Sequence, residues 1–254
     1  MTRALSRLIL LGLLGLALLC GQSAYAQSPV PLVVGGSLVY GGMTFSVSSC
    51  TYTNEPINPT RANPHPSGDY NGTCGLSNDL YLAPDPSGPA HSVIIEALSG
   101  SSQVPIFSYT CGLSGGCNVG STGTFDLSVQ LNVTTAAGHT VSSAIQTASF
   151  TAPSALATSN PGDGHATETI NSSLCTLTSN LGTATPPSCT FTPQNSLVVQ
   201  KDLGITVNGL ANGSTLALNS VVETFAHAPE PSSLAVLASG LFVLLRARRK
   251  RSLA

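Results

Sequence analysis

Phe125-Asp126-Leu127-Ser128-Val129-Gln130-Leu131-Asn132-Val133-Thr134 alternates apolar and polar residues without a break. A period of two puts one set of side chains on a buried face and the other in water, which is the signature of a half-buried strand. Shorter runs of the same kind are Met43–Val47, Val93–Ala97, Phe107–Cys111, Leu203–Val207 and Leu216–Leu218, and Val221–Phe225 predicts a last strand. Breakers separate them: Gly35-Gly36, Gly41-Gly42, Pro84–Pro89, Gly112–Gly123, Asn160–Gly164 and Asn208-Gly209. No segment between the two ends of the chain carries a helical stripe. Short strands between frequent turns predict an all-β fold, an antiparallel β-sandwich. A region of about 200 residues commonly forms one such domain, and two smaller sandwiches split near Ala152–Ala166 are the alternative. Asn54–Asp79 is the longest stretch expected to be irregular.

Both ends of the chain differ from this pattern. Arg3 and Arg7 precede the uncharged run Leu8–Leu19, and Ala24-Tyr25-Ala26 supplies the small residues that signal peptidase requires. Residues 1–26 are therefore read as a signal peptide, cut between Ala26 and Gln27, with the Sec translocon and signal peptidase as the implied partners. Cys20 follows the bulky Leu19 and belongs to the discarded segment. At the other end, Pro229-Glu230-Pro231 forms a stiff, non-helical element. The uncharged run Leu234–Leu245 follows, and then the basic block Arg246, Arg248, Arg249, Lys250 and Arg251. As a helix the run spans ~18 Å at ~1.5 Å per residue, against ~30 Å of hydrocarbon. It suits a short, transient membrane anchor with its basic end in the cytoplasm.

These three parts, in this order and within the final 27 residues, resemble the PEP-CTERM sorting signal of Gram-negative, exopolysaccharide-producing bacteria. The resemblance implies recognition by an exosortase-type processing enzyme, inner-membrane anchoring through the C-terminal helix until processing near Pro229–Pro231, and delivery to the cell surface or extracellular matrix. The domains expected are thus the signal peptide 1–26, an exported β-sandwich 27–227 and a sorting segment 228–254.

Trimming the ends changes the charge. Of nine Lys and Arg residues only Arg61 and Lys201 remain, against ten of the eleven acidic residues, so the exported region carries a net charge of −8. Nucleic acid, which needs clustered cations, is excluded as a partner. Six cysteines also remain: Cys50, Cys74, Cys111, Cys117, Cys175 and Cys189. In an exported chain an even number reads as a disulfide framework. Sequence alone does not select among the many pairings. The sequential one, Cys50–Cys74, Cys111–Cys117 and Cys175–Cys189, is the expectation, because each bond closes a polar, turn-rich loop. No Cys-x-x-Cys pair or neighbouring histidine points to zinc.

Candidate chemistry is sparse. Gly112-Leu113-Ser114-Gly115-Gly116 fits the nucleophile-elbow pattern, but Cys111 and Cys117 flank it and no helix can follow. A disulfide-closed loop explains it; a hydrolase would have to pair Ser114 with His139 or His165. Asn160–Glu168 gathers oxygen ligands in what reads as a solvated turn, short of the six to eight oxygens calcium takes. His65, His91 and His227 read as exposed. No cofactor, metal or catalytic constellation is expected. The leading expectation is a non-enzymatic structural or adhesive protein of the cell surface or matrix. The alternative is a polysaccharide- or ice-binding module, with exopolysaccharide as candidate ligand, and a secreted serine hydrolase ranks last. The absence of tryptophan counts against an aromatic glycan platform.

Overall fold

A computed structural model describes residues 28–55, 71–75, 79–85, 87–88, 91–110, 124–153, 163–207, 210 and 213–228. In chain order the strands are β1 (Val30–Pro31), β2 (Ser37–Tyr40), β3 (Met43–Glu55), β4 (Asn71–Thr73) and β5 (Leu80–Pro84). Next come β6 (Ser92–Ser99), β7 (Ser102–Val104), β8 (Phe107–Thr110), β9 (Thr124–Thr135) and β10 (Val141–Thr151). The last are β11 (Asp163–Ile170), β12 (Cys175–Asn180), β13 (Ser188–Gln194), β14 (Ser196–Thr206) and β15 (Thr215–His227). Among the described residues there is no helix.

All pairings are antiparallel, and they build two sheets. One runs β1-β5-β6-β15-β10-β13, with β7 beside β6 and β8 beside β15; the other runs β12-β11-β14-β9-β3-β2, with β4 beside β3. The order explains why the chain forms one sandwich and not two. Strands from both sides of the 152–166 segment meet in each sheet: β14 pairs with β9 in the second, β15 with β10 and β6 in the first.

The strand that decides the fold sits near the centre of the second sheet. Phe125, Leu127, Val129, Leu131 and Val133 are all buried, as the alternation requires. On β3 the parity changes once. A bulge between Val47 and Ser49 inserts Ser48, whose hydroxyl donates to the Gln130 carbonyl at 3.1 Å. The extra residue lets both Val47 and Cys50 face inward. The tight turn from β2 into β3 is Gly41-Gly42, with φ of +58° and +76°. Two successive left-handed residues are what a two-residue hairpin loop needs, and glycine adopts them without a Cβ penalty.

Two of the expected disulfides are formed. Cys50–Cys74 holds the segment after β4 against β3, and Cys175–Cys189 ties β12 of the second sheet to β13 of the first. They belong to an oxidising or extracellular environment. The third pair, Cys111 and Cys117, lies outside the described residues, as do Ser114, His65, the leader with Ala24 and Ala26, and the C-terminal segment from Pro229 onward. No helix among the described residues is long and apolar enough to cross a membrane.

Several expectations need correction. Leu216–Leu218 and Val221–Phe225 are one strand, β15, carried past a bulge opposite Ser149 and Phe150. Asn71–Thr73, expected to be irregular, forms β4. From Asp163 to Glu168 the chain is not a solvated turn: it is β11, with His165 on the outer face and Glu168 fully buried.

Candidate functional site

Three places on the fold gather chemically capable side chains. The first is on the outer face of the second sheet. Register places His165 on β11 opposite Gly204 on β14, and Gly204 opposite Asp126 on β9. Two residues earlier on β14, Asp202 points to the same side. One ligand atom from each of Asp126, His165 and Asp202 lies within 4.8 Å of the others, and they are the one such trio among the described residues. His165 Nε2 stands 3.8 Å from Asp126 Oδ1, with both side chains about a third exposed. Gly204 makes the close approach possible. A Cβ there would collide with Asp126 Oδ1 and lie 2.9 Å from the Phe125 backbone oxygen. One imidazole nitrogen and two carboxylates on three adjacent strands form a donor set suited to a borderline divalent ion such as zinc, with further positions open to solvent.

The second place is inside the sandwich. Glu168 and Lys201 sit directly opposite one another on β11 and β14, on the inner face. Glu223 reaches them from β15 of the facing sheet, with Gln146 as its cross-strand neighbour on β10. All four are essentially inaccessible to solvent. Lys201 Nζ donates to Glu168 Oε2 and, at 2.9 Å, to Glu223 Oε2. Glu168 Oε1, Glu223 Oε1 and both polar side-chain atoms of Gln146 have no hydrogen-bond partner. Apolar residues surround the group: Ala166 and Ile170 along β11, Val199 and Leu203 along β14, and Val129 opposite Lys201 on β9. Burial pulls the Lys201 ammonium down, but the two carboxylates overcome this and hold it above the ordinary lysine value. Burial first, and then Glu168, pushes Glu223 well above the ordinary carboxylate value; Lys201 only partly offsets them. The group thus sets one amine against two carboxyls, of which Glu223 is the one that burial and Glu168 push toward its protonated form.

The third place is the end of the sandwich where the described chain stops. His91, His139 and His227 are half-buried, so His91 and His227 are not exposed as the sequence suggested. The His91 and His227 rings stack edge to face with centroids 4.2 Å apart, and His139 approaches His227 at 5.5 Å. His91 holds a φ of +78°, an uncommon conformation for a residue with a Cβ. An open pocket of about 460 Å³ beside them is lined by Thr135, His139, Thr140 and Asn195 among others. Ala228 N donates to the Thr140 carbonyl at 2.9 Å, so the last described residue is held at this end.

The two histidines considered as partners for Ser114 are thus in separate clusters, His165 with Asp126 and His139 with His227. Sequence reading missed both polar groups because their members are 22 to 77 positions apart and only strand register joins them. A signal did exist. Lys201, Glu168 and Glu223 all occupy the inward parity of their strands, between Val199 and Leu203, Ala166 and Ile170, and Val221 and Phe225. No family model, curated protein or solved structure matches the chain.

Proposed function

We propose that this chain is an exported, non-enzymatic β-sandwich, released from a transient inner-membrane anchor at Pro229-Glu230-Pro231 and displayed at the cell surface or in the extracellular matrix as a structural or adhesive module. The observation that carries the reading is the layout. Disulfides tie an all-β body together, and its last strand ends at His227, two residues before the proline-rich element. In sequence that element directly follows the last strand, so a processing enzyme could cut there without cutting a strand. Replacing Pro229, Glu230 and Pro231 together by alanine is expected to leave the uncut chain in the inner-membrane fraction. Normal release of the variant would contradict the reading.

The Asp126–His165–Asp202 trio favours a second reading, in which the outer face binds a divalent cation and through it an acidic polysaccharide. A net charge of −8 on the exported region assists cation capture. Calorimetric titration with zinc is expected to show one site, lost in Asp202→Asn. Equal binding by the variant would remove this reading.

A further inference from the structure

Lys201 is the one lysine or arginine among the described residues. A solvated surface would be its ordinary place, yet it is buried against two carboxyls that are themselves buried. An ion group in such surroundings is costly unless each lone pair is satisfied, and here two carboxyl oxygens are not. The same placement removes what normally prevents an amine and a carboxylic acid from condensing. Water is excluded, the two groups are held in contact by opposite positions in one ladder, and a third group able to carry protons touches the amine.

We propose that Lys201 and Glu168 form an intramolecular amide bond, Nζ to Cδ, with the Glu223 carboxyl as the proton carrier. The resting ion pair becomes reactive when one ammonium proton passes along its hydrogen bond to the Glu168 carboxylate. This gives a neutral amine and a neutral acid without net charge movement. The amine lone pair attacks Glu168 Cδ. Glu223 donates its proton to the departing hydroxyl and takes one from the nitrogen, so it ends as it began. One C–N bond forms, one C–O bond breaks and one water leaves; no oxidant, metal or external reactant is needed. The product replaces two buried charges by a neutral amide that Glu223 can hydrogen-bond, which is the driving force the apolar surroundings supply. It also ties β11 to β14 covalently, across 33 positions of sequence. Cys175–Cys189 joins the two sheets at the edge, and the amide would lock two central strands.

The test is mass spectrometry of the full chain recovered from an exporting host, wild type beside Glu223→Gln. The wild type is expected to be one water lighter than its disulfide-bonded sequence between the observed termini. A branched peptide should join the segment containing Glu168 to Lys201, and trypsin should not cleave after Lys201. Cyclisation of an N-terminal Gln27 would remove ammonia instead, and peptide mapping separates the two. Glu223→Gln is expected to fold with Cys50–Cys74 and Cys175–Cys189 closed and to retain the water. A folded wild-type chain of full mass, cleaved after Lys201, overturns the proposal whatever the variant does. A variant as light as the wild type overturns the role of Glu223.

Discussion

Lys201 shows how much depends on one buried cation. Relative to a chain in which Lys201 and Glu168 have not condensed, Lys201→Met leaves two carboxyls facing one another in an apolar interior and is expected to destabilise the fold by about 3–5 kcal/mol. Replacing the whole group, Lys201→Met with Glu168→Leu and Glu223→Leu, removes every buried charge. That variant should be close to the uncondensed chain or more stable, read as the urea midpoint. Glu223 also gives a pH dependence with a definite sign. Its folded pKa lies well above 4.5, so above that pH the native chain keeps a proton that the unfolded chain has released. Stability should therefore fall as pH rises from about 4.5 towards the folded value and level off beyond it. Glu96, raised by burial and then by Asp85, adds in the same direction. Urea midpoints across this range should fall less steeply in Glu223→Gln; an identical slope would assign the effect elsewhere. At this scale the sequence was readable only through parity. A charged residue at an inward position is visible once its strand is known, but its partners depend on register.

Among the elements, β9 could be read completely, because five inward apolar residues alternate with polar ones over its length. β10 and β13 could not. Val141–Thr151 is rich in Ser, Thr and Ala and carries register shifts, and Ser188–Gln194 lies on a sheet edge with no buried residue. Strands held mainly by backbone pairing leave little hydrophobic pattern to read. β13 is the element whose attachment depends most on a covalent bond. Converting Cys175 and Cys189 to alanine opens a loop with a sequence separation of 14 and should cost about 3 kcal/mol. The loss should appear first as faster amide exchange in β13 and along the facing edge of β10, and uniform exchange across both sheets would contradict this. Cutting Leu131, fully buried on β9, to alanine should cost about 2–5 kcal/mol by leaving a cavity in the core.

For the whole molecule, all-β class, antiparallel pairing and two of the disulfides were readable from strand periodicity and loop-closing cysteines. The interleaving of strands that makes one sandwich was not, since no local pattern encodes which distant strands meet. Export, processing and display are proposals that rest on the two ends of the chain; the two disulfides by themselves give the strongly acidic body an oxidising or extracellular setting. The most direct test is the mass of the mature protein isolated from its own host without reduction. The account predicts a chain beginning at Gln27, ending near Pro229–Pro231, and carrying disulfides at Cys50–Cys74 and Cys175–Cys189. A chain that keeps both the leader and the terminal Arg/Lys block, with those cysteines as free thiols, would contradict it.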